Sequence, residues 1–131
     1  MSATGTPHIV PVVFCAHAGH IYSPIDGKLK TSNKLQRLAN VTANPAAALL
    51  VDSYTEDWQQ LWWLRIDGQA DYYEPTPEQA AAIAERLLAK YPQYADPNLR
   101  FDTNAYLRLQ PESVVGWAQS NSEQTIRRSL F

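Results

Sequence analysis

The chain has 131 residues, a formal net charge of −2 and 45% hydrophobic residues. This length fits a single domain, and the apolar fraction is typical of a globular protein with a hydrophobic core. No basic tract indicates a nucleic-acid surface, and no apolar run is long enough to span a bilayer. The single cysteine excludes an internal disulfide, and the N-terminus lacks the features of a signal peptide, so we expect a cytoplasmic protein.

The N-terminal part of the sequence predicts a β-hairpin. Residues 9–16 are almost continuously apolar and rich in β-branched side chains, which predicts a buried strand with Pro11 at an edge or a bulge. The pair Ala18-Gly19 favours a turn into a second strand over residues 20–23.

A short helix and two strands are predicted next. Thr31 and Ser32 are candidate N-caps of the helix, and Asn44-Pro45 would end it. Residues 46–53 predict a buried strand. Residues 61–74 predict a longer strand with alternating faces, which carry Trp62, Leu64 and Ile66 on one side and Trp63, Arg65 and Asp67 on the other. Gly68 indicates a bulge or a close backbone approach within it.

The clearest helix follows residue 76. Thr76, Pro77 and Gln79 form a capping box with proline at the first helical position. The predicted inward stripe consists of Ala80, Ile83, Ala84, Leu87 and Leu88. Two further strands are predicted over residues 105–109 and 113–118. Six strands and two helices without regular alternation predict a mainly β fold, an antiparallel, six-stranded, Greek-key-like β-barrel with helices.

Cations and hydroxyls gather between residues 21 and 37, where a predicted strand leads into a helix N-terminus. Free backbone N–H groups and the helix dipole make such a place suitable for a phosphate. The alternative is that the lysines only solvate a loop and a helix face. The residues concerned are Tyr22, Ser23, Lys28, Lys30, Thr31, Ser32, Asn33, Lys34 and Arg37.

The second candidate site is the run Trp62-Trp63-Leu64-Arg65. Two adjacent tryptophans on a strand point to opposite faces, so Trp63 shares a face with Arg65 and not with Leu64. An aromatic ring beside a guanidinium can line a pocket for a planar ligand or contact another protein surface. A core or interface tryptophan without a ligand is the alternative.

Metal and nucleophilic catalysis are not favoured by the sequence. His17 and His20 fall across a predicted turn, and no zinc-binding motif accompanies them. Cys15 lies in an apolar strand, where an inert buried thiol is usual, and no nucleophile elbow occurs.

Segments along nearly the whole chain resemble the pyridoxamine phosphate oxidase-like split-barrel family. They are the runs at residues 7–14, 21–23, 28–31, 35–40, 44–45, 49–52, 106–111 and 116–117. The run from Tyr54 through Glu56-Asp57-Trp58, Leu61-Trp62-Trp63 and Arg65 to Asp67-Gly68 and Ala70 is similar to the subgroup described as deazaflavin-dependent.

The resemblance implies an FMN-binding split barrel that works as a homodimer, with FMN or a deazaflavin coenzyme between the subunits. It implies that the phosphate is held after the first hairpin and that the ring is contacted from the long strand. Transferred to this sequence, the cofactor-binding positions are Tyr22, Ser23, Lys28, Lys30, Thr31, Lys34, Trp63 and Arg65.

Two departures from the family pattern accompany the resemblance. Trp63 stands on or next to a position that is often glutamine in the oxidases, which argues against plain pyridoxamine phosphate oxidase activity. The family's first strand is expected to be missing, because the chain reaches Pro7-His8 almost at once. We therefore expect residues 1–131 to form one split-barrel domain with an altered edge.

Two functions follow as hypotheses. The first is an FMN- or deazaflavin-dependent oxidoreductase that acts on a small-molecule substrate, in which the cofactor supplies the chemistry. The second is a non-catalytic flavin- or haem-binding protein, in which His8, His17 or His20 would supply an axial ligand.

Overall fold

The structure is a computed structural model that describes residues 1–26 and 32–119, with the backbone alone for residues 26 and 32–35. It contains the strands β1 (Cys15–His17), β2 (His20–Asp26), β3 (Ala46–Ser53), β4 (Trp62–Tyr73) and β5 (Phe101–Ala118). Two α-helices, α1 (Ser32–Ala43) and α2 (Pro77–Lys90), and three short 3₁₀ turns complete the described elements. Neither α-helix is long and apolar enough to cross a membrane.

The five strands form one antiparallel sheet in the order β1-β2-β5-β4-β3. The mainly β class with two helices is as the sequence predicts. The predicted number of six strands is wrong for the described residues, because the two predicted C-terminal strands are one continuous strand, β5.

A bulge in β5 explains why one strand passes through Pro111. Gly68 of β4 pairs with Pro111 while Asp67 pairs with Ser113, so Glu112 has no partner of its own on β4. Proline has no N–H to donate to the neighbouring strand, and the bulge at Glu112 lets β5 continue past this missing hydrogen bond with regular pairing on both sides. The sequence prediction that Gly68 marks a bulge or a close backbone approach is confirmed, with the extra residue on β5 opposite Gly68.

The predicted first strand is also shorter than expected. Residues 9–14 are not paired in the sheet, and Ile9 is 93% exposed instead of buried. Pairing begins only at Cys15, where the β1–β2 hairpin turns at Ala18 and Gly19 with φ values of 49° and 79°. Both residues occupy the left-handed region that a two-residue hairpin turn requires.

Two hydrophobic clusters lie on opposite faces of the sheet. The first contains Phe14, Ile21, Leu64, Ile66, Ala70 and Leu109, with Val41 of α1 packed against it. The second joins Cys15, Tyr22 and Tyr106 to Ile83 and Leu87 of α2. Helix α2 begins at the predicted capping box of Thr76 and Gln79, but Leu88 is 45% exposed and does not belong to its inward stripe.

Candidate functional site

A cavity of about 330 Å³ lies between the N-terminal segment, β2, α1 and the segment that joins α2 to β5. Ser23 of β2 and Arg37 of α1 both line it. Ser23 pairs with Leu107 of β5, which fixes the position of its backbone. The cavity is at the small end of the range for ligand sites, and it would hold a phosphate group but not a whole flavin.

Arg37 is the most distinctive polar group of this cavity. Its Nε is buried and has no hydrogen-bond partner among the described residues. A buried guanidinium nitrogen without a partner is costly, and an anionic ligand would satisfy it with a charge-assisted hydrogen bond. The unpartnered Nε therefore fits a phosphate in this cavity.

Helix α1 is attached to the N-terminal segment close to Arg37. The buried Asn40 accepts a hydrogen bond from Gln36 Nε2 at 2.7 Å, and its own Nδ2 lies 3.2 Å from His8 Nδ1. One turn of helix separates Asn40 from Arg37, so these contacts restrain the helix that carries the guanidinium.

Tyr22 and Ser23 point in opposite directions, as neighbours on a strand must. Tyr22 is 4% exposed and packs in the second cluster, with its ring edge-on to Tyr106 at a centroid distance of 5.9 Å. Burial raises the pKa of the Tyr22 hydroxyl. The structure thus brings Ser23, but not Tyr22, to the cavity that Arg37 lines.

The other predicted phosphate residues are described only in part. Lys28, Lys30 and Thr31 lie outside the described residues. The backbone of Lys34 belongs to the first turn of α1, but its side chain lies outside the description. Their roles stay predictions.

Trp63 and Arg65 lie on the face of β4 that points away from the first hydrophobic cluster, as the alternation of the sequence predicts. Trp63 is paired directly with Trp117 of β5, and Arg65 lies between Val115 on β5 and Leu50 on β3. Arg65 Nε donates to Asp67 Oδ2 at 2.9 Å. This surface, which we call the tryptophan face, comprises Leu50, Trp63, Arg65, Val115 and Trp117.

Trp117 and Arg100 are candidate residues that the sequence alone did not provide. The cross-strand position of Trp117 depends on the β4–β5 register, which includes the bulge. Arg100 lines the cavity from a connecting segment that contains two proline-initiated 3₁₀ turns. Nothing in the sequence alone distinguishes it from the other surface arginines.

A second cavity of about 380 Å³ is lined by both His17 and His20 together with apolar residues, among them Ile21, Leu64 and Ile66. His17 Nδ1 is buried and unpartnered within the described ranges, whereas His20 Nδ1 lies 3.2 Å from the carbonyl of Ala18. In the described part of the chain, no three His, Cys, Asp or Glu side chains are grouped to hold a metal ion.

The thiol of Cys15 has the properties of a structural group. Cys15 is 3% exposed, its Sγ lies 3.9 Å from the carbonyl oxygen of Ile83, and burial raises its pKa to about 11. A thiol with such a pKa is protonated at neutral pH, so it is a poor nucleophile. The expectation of an inert thiol agrees with this placement.

The sequence of the chain matches a known protein family. Residues 1–118 match the family model for pyridoxamine 5′-phosphate oxidase. No curated protein matches the sequence significantly.

Similar solved structures include a conserved hypothetical protein from Mycobacterium tuberculosis, with 15% identity, a TM-score of 0.67 and coverage of 91% of this chain and 73% of that one. The haem storage protein HutZ from Vibrio cholerae has 16% identity and a TM-score of 0.63, with 89% and 80% covered. A FAD-binding protein from Mesorhizobium loti has 18% identity and a TM-score of 0.57, with 86% and 77% covered. At these identities the likeness shows the fold, and the family match extends over nearly the whole chain. The chain therefore belongs to the pyridoxamine 5′-phosphate oxidase family and has its split-barrel fold.

Proposed function

We propose that the protein is a flavin-dependent oxidoreductase that binds FMN, or the related deazaflavin coenzyme, and acts on a small-molecule substrate. The observation that carries the proposal is the cavity lined by Ser23 and by Arg37, whose buried Nε has no hydrogen-bond partner among the described residues. Arg37 and Ser23 would hold the cofactor phosphate, and the cofactor would supply the redox chemistry. The inert Cys15 thiol agrees with chemistry that belongs to a cofactor.

We further propose that the working form is a homodimer with a cofactor site shared by two subunits. Ser23 pairs with Leu107, whereas Trp63 pairs with Trp117, further along the same strand. Trp117 is ten positions beyond Leu107 on β5, which corresponds to about 30 Å of strand and is longer than one FMN molecule. If Ser23 binds the phosphate and Trp63 contacts the ring, the two residues must come from different subunits.

The proposal is tested by purifying the protein without added cofactor and identifying any released chromophore by absorption and mass spectrometry. The apoprotein is then titrated with FMN and with the deazaflavin coenzyme. Arg37→Gln should weaken binding by about tenfold or more, because a charge-assisted contact is lost. Arg86→Gln, which removes an exposed arginine outside this cavity, is the matched control.

Absence of binding by either cofactor would contradict the proposal. Equal binding by the wild type and Arg37→Gln would show that the phosphate lies elsewhere. Once a cofactor is bound, its reduction by candidate donors tests the oxidoreductase assignment separately from the binding site.

A second candidate function, haem binding, is favoured by the second cavity. Its walls are mainly apolar, and His17 contributes a buried imidazole nitrogen without a described partner. An imidazole can serve as an axial ligand of haem iron. This cavity of about 380 Å³ is, like the first, smaller than a whole cofactor, so one subunit would enclose only part of the haem. The solved structure of the haem storage protein HutZ shares this fold.

Haem binding is measured by titrating the protein with haem and following its absorption band. If His17 is the axial ligand, His17→Ala should abolish the spectrum of the complex, while His8→Ala should leave it unchanged because His8 lines a different cavity. A spectrum that survives both His17→Ala and His20→Ala would exclude this cavity as the haem site.

A further inference from the structure

Five arginines lie in the described part of the chain, and their partners divide them into two groups. Three are bound to groups of the protein: Arg65 to Asp67, Arg108 to Asp71, and Arg86 to the carbonyl of Ala16. Arg37 and Arg100 have no ion pair or hydrogen bond to any described residue, and both line the 330 Å³ cavity. Among the described arginines, the two guanidinium groups without protein partners thus line one cavity.

The described lining of this cavity carries positive charge from Arg37 and Arg100. None of the described residues that line it is an aspartate or a glutamate. Two cations without a carboxylate partner attract anions, and arginine is suited to carboxylate and phosphate ligands because its donors form a planar fork. The cavity therefore has capacity for more than one anionic contact.

The two arginines reach the cavity from different elements and at different depths. Arg37 belongs to α1 and is half-buried, whereas Arg100 immediately precedes β5 and is exposed at the rim. Two contacts restrain the segment before Arg100. Asp96 Oδ1 accepts a hydrogen bond from the backbone N–H of Asn98 at 2.8 Å. The ring of Tyr94 meets that of Phe101 edge-on, with the ring centroids 4.8 Å apart. Arg100 is therefore presented from a structured segment, which lowers the entropy cost of binding.

We propose that Arg100 forms a second anion subsite in this cavity, so that its ligand carries a carboxylate or a phosphate in addition to the phosphate at Arg37. The inference rests on the proposed function for the phosphate at Arg37. It specifies the ligand class further, because a cofactor with one terminal phosphate leaves Arg100 unused. The second anion belongs either to the tail of the cofactor or to an anionic substrate beside it.

The test uses two small ligands that differ in one carboxylate, glycerol 3-phosphate and 3-phosphoglycerate, with affinities measured by calorimetry. The wild type should bind 3-phosphoglycerate about tenfold more tightly, because it gains a charge-assisted contact. Arg100→Gln should remove this preference and leave the affinity for glycerol 3-phosphate unchanged. Arg37→Gln should weaken both ligands, and Arg86→Gln should weaken neither.

The second subsite would be overturned if the wild type bound both ligands equally, or if Arg100→Gln kept the preference for 3-phosphoglycerate. The proposed function would stand in either case. Binding of neither ligand would overturn both, because the phosphate at Arg37 would then be wrong as well.

The source of the second anion is identified with the cofactors themselves. If it lies on the cofactor tail, Arg100→Gln should weaken the deazaflavin coenzyme, whose tail carries carboxylates, and leave FMN unaffected. If it lies on a substrate, the variant should leave both cofactors unaffected and should weaken binding of a simple carboxylate, such as glycolate, to the FMN complex. Equal weakening of FMN and the deazaflavin coenzyme would show that Arg100 holds the first phosphate, which contradicts the proposal.

Discussion

Glycine at position 68 is required by the backbone of the neighbouring strand. A Cβ atom there would overlap the carbonyl oxygen of Gln110 and would lie 2.9 Å from its carbonyl carbon and 3.2 Å from the Cα of Pro111. These are main-chain atoms, so the clash cannot be relieved by a side-chain rotation. The close approach coincides with the bulge that allows β5 to continue past Pro111.

We therefore expect Gly68→Ala to destabilise the protein strongly, by about 3 kcal/mol, because β4 and β5 must move apart at the centre of the sheet. The measurement is the free energy of unfolding in urea. Ser113→Ala, an exposed substitution beside the same bulge, should change it by less than about 0.5 kcal/mol. A Gly68→Ala variant as stable as the wild type would mean that the two strands are not so closely packed.

The buried Cys15 thiol predicts a loss of stability at alkaline pH. Its pKa is raised from 9.0 to about 11 in the folded protein, so unfolding releases a proton between these values and is favoured as the pH rises. The protonated Cys15 thiol stabilises the folded state in full below pH 9. The free energy of unfolding then falls by about 2–3 kcal/mol as the pH rises to 11.

Urea unfolding of the wild type and Cys15→Ala from pH 8 to 11 measures this effect. Tyr22 and Tyr106 also have raised pKa values, caused mainly by burial and in part by the charge of Cys15, so the difference in slope reports the thiol together with its coupling to these tyrosines. Parallel curves for the two proteins would show that the thiol ionises normally in the folded state.

Residue-level predictions from the sequence were reliable where strand alternation alone decides the result. The alternation separated Trp63 and Arg65 from the core and thereby identified the tryptophan face. It could not show that Arg100 lines the same cavity as Arg37, because Arg100 belongs to an irregular segment far along the chain. Tyr22 was grouped with Ser23 by sequence proximity, although neighbouring residues on a strand face opposite sides.

At the level of elements, helix α2 shows how narrow its buried stripe is. The sequence predicts both Leu87 and Leu88 on the inward face, yet Leu87 is fully buried and Leu88 is 45% exposed. Adjacent helical residues differ by about 100° in direction, so a helix that contacts one face of a sheet buries one of them more than the other.

This pair gives a matched test of which face packs on the sheet. Leu87→Ala should cost about 3 kcal/mol of unfolding free energy, because it leaves a cavity in the second cluster. Leu88→Ala should cost less than about 1 kcal/mol, since its side chain keeps much of its contact with water. Similar losses for both variants would contradict the orientation of α2.

The elements with local signals were the most predictable. The bounds of the strand over residues 46–53 and the capping box of α2 agree with the structure because each depends on a short stretch of sequence. The prediction that this strand is buried is wrong, because β3 lies at the edge of the sheet and all its residues are exposed or half-buried. Residues 9–14 have a strand-forming composition but no partner strand, so they remain unpaired. A strand needs a neighbour, and a single segment cannot reveal whether one is available.

At the level of the whole molecule, the proposed dimer makes the tryptophan face a testable interface. Leu50, Val115 and Trp117 are 60%, 42% and 44% exposed, which leaves an apolar surface in contact with water in a single subunit. Such a surface commonly marks a site of protein association.

If two subunits associate through this face, Trp117→Asp should convert the dimer into a monomer and weaken cofactor binding as well, because a buried carboxylate without a partner opposes association. Gln110→Asp, an exposed substitution on the same strand, should leave the dimer intact. Sedimentation velocity distinguishes the two states. A Trp117→Asp protein that remains dimeric would place the interface elsewhere.

The strand order also determines when the molecule can assemble during synthesis. Strand β2 pairs with β1, which precedes it, and with β5, the last strand, whereas β3 and β4 are joined in a local hairpin. On the ribosome the β1–β2 hairpin therefore emerges early and has no described second neighbour until β5 has been translated. Because loops are closed across most of the described sheet at this late step, we expect the sheet to form slowly compared with a helical protein of similar length.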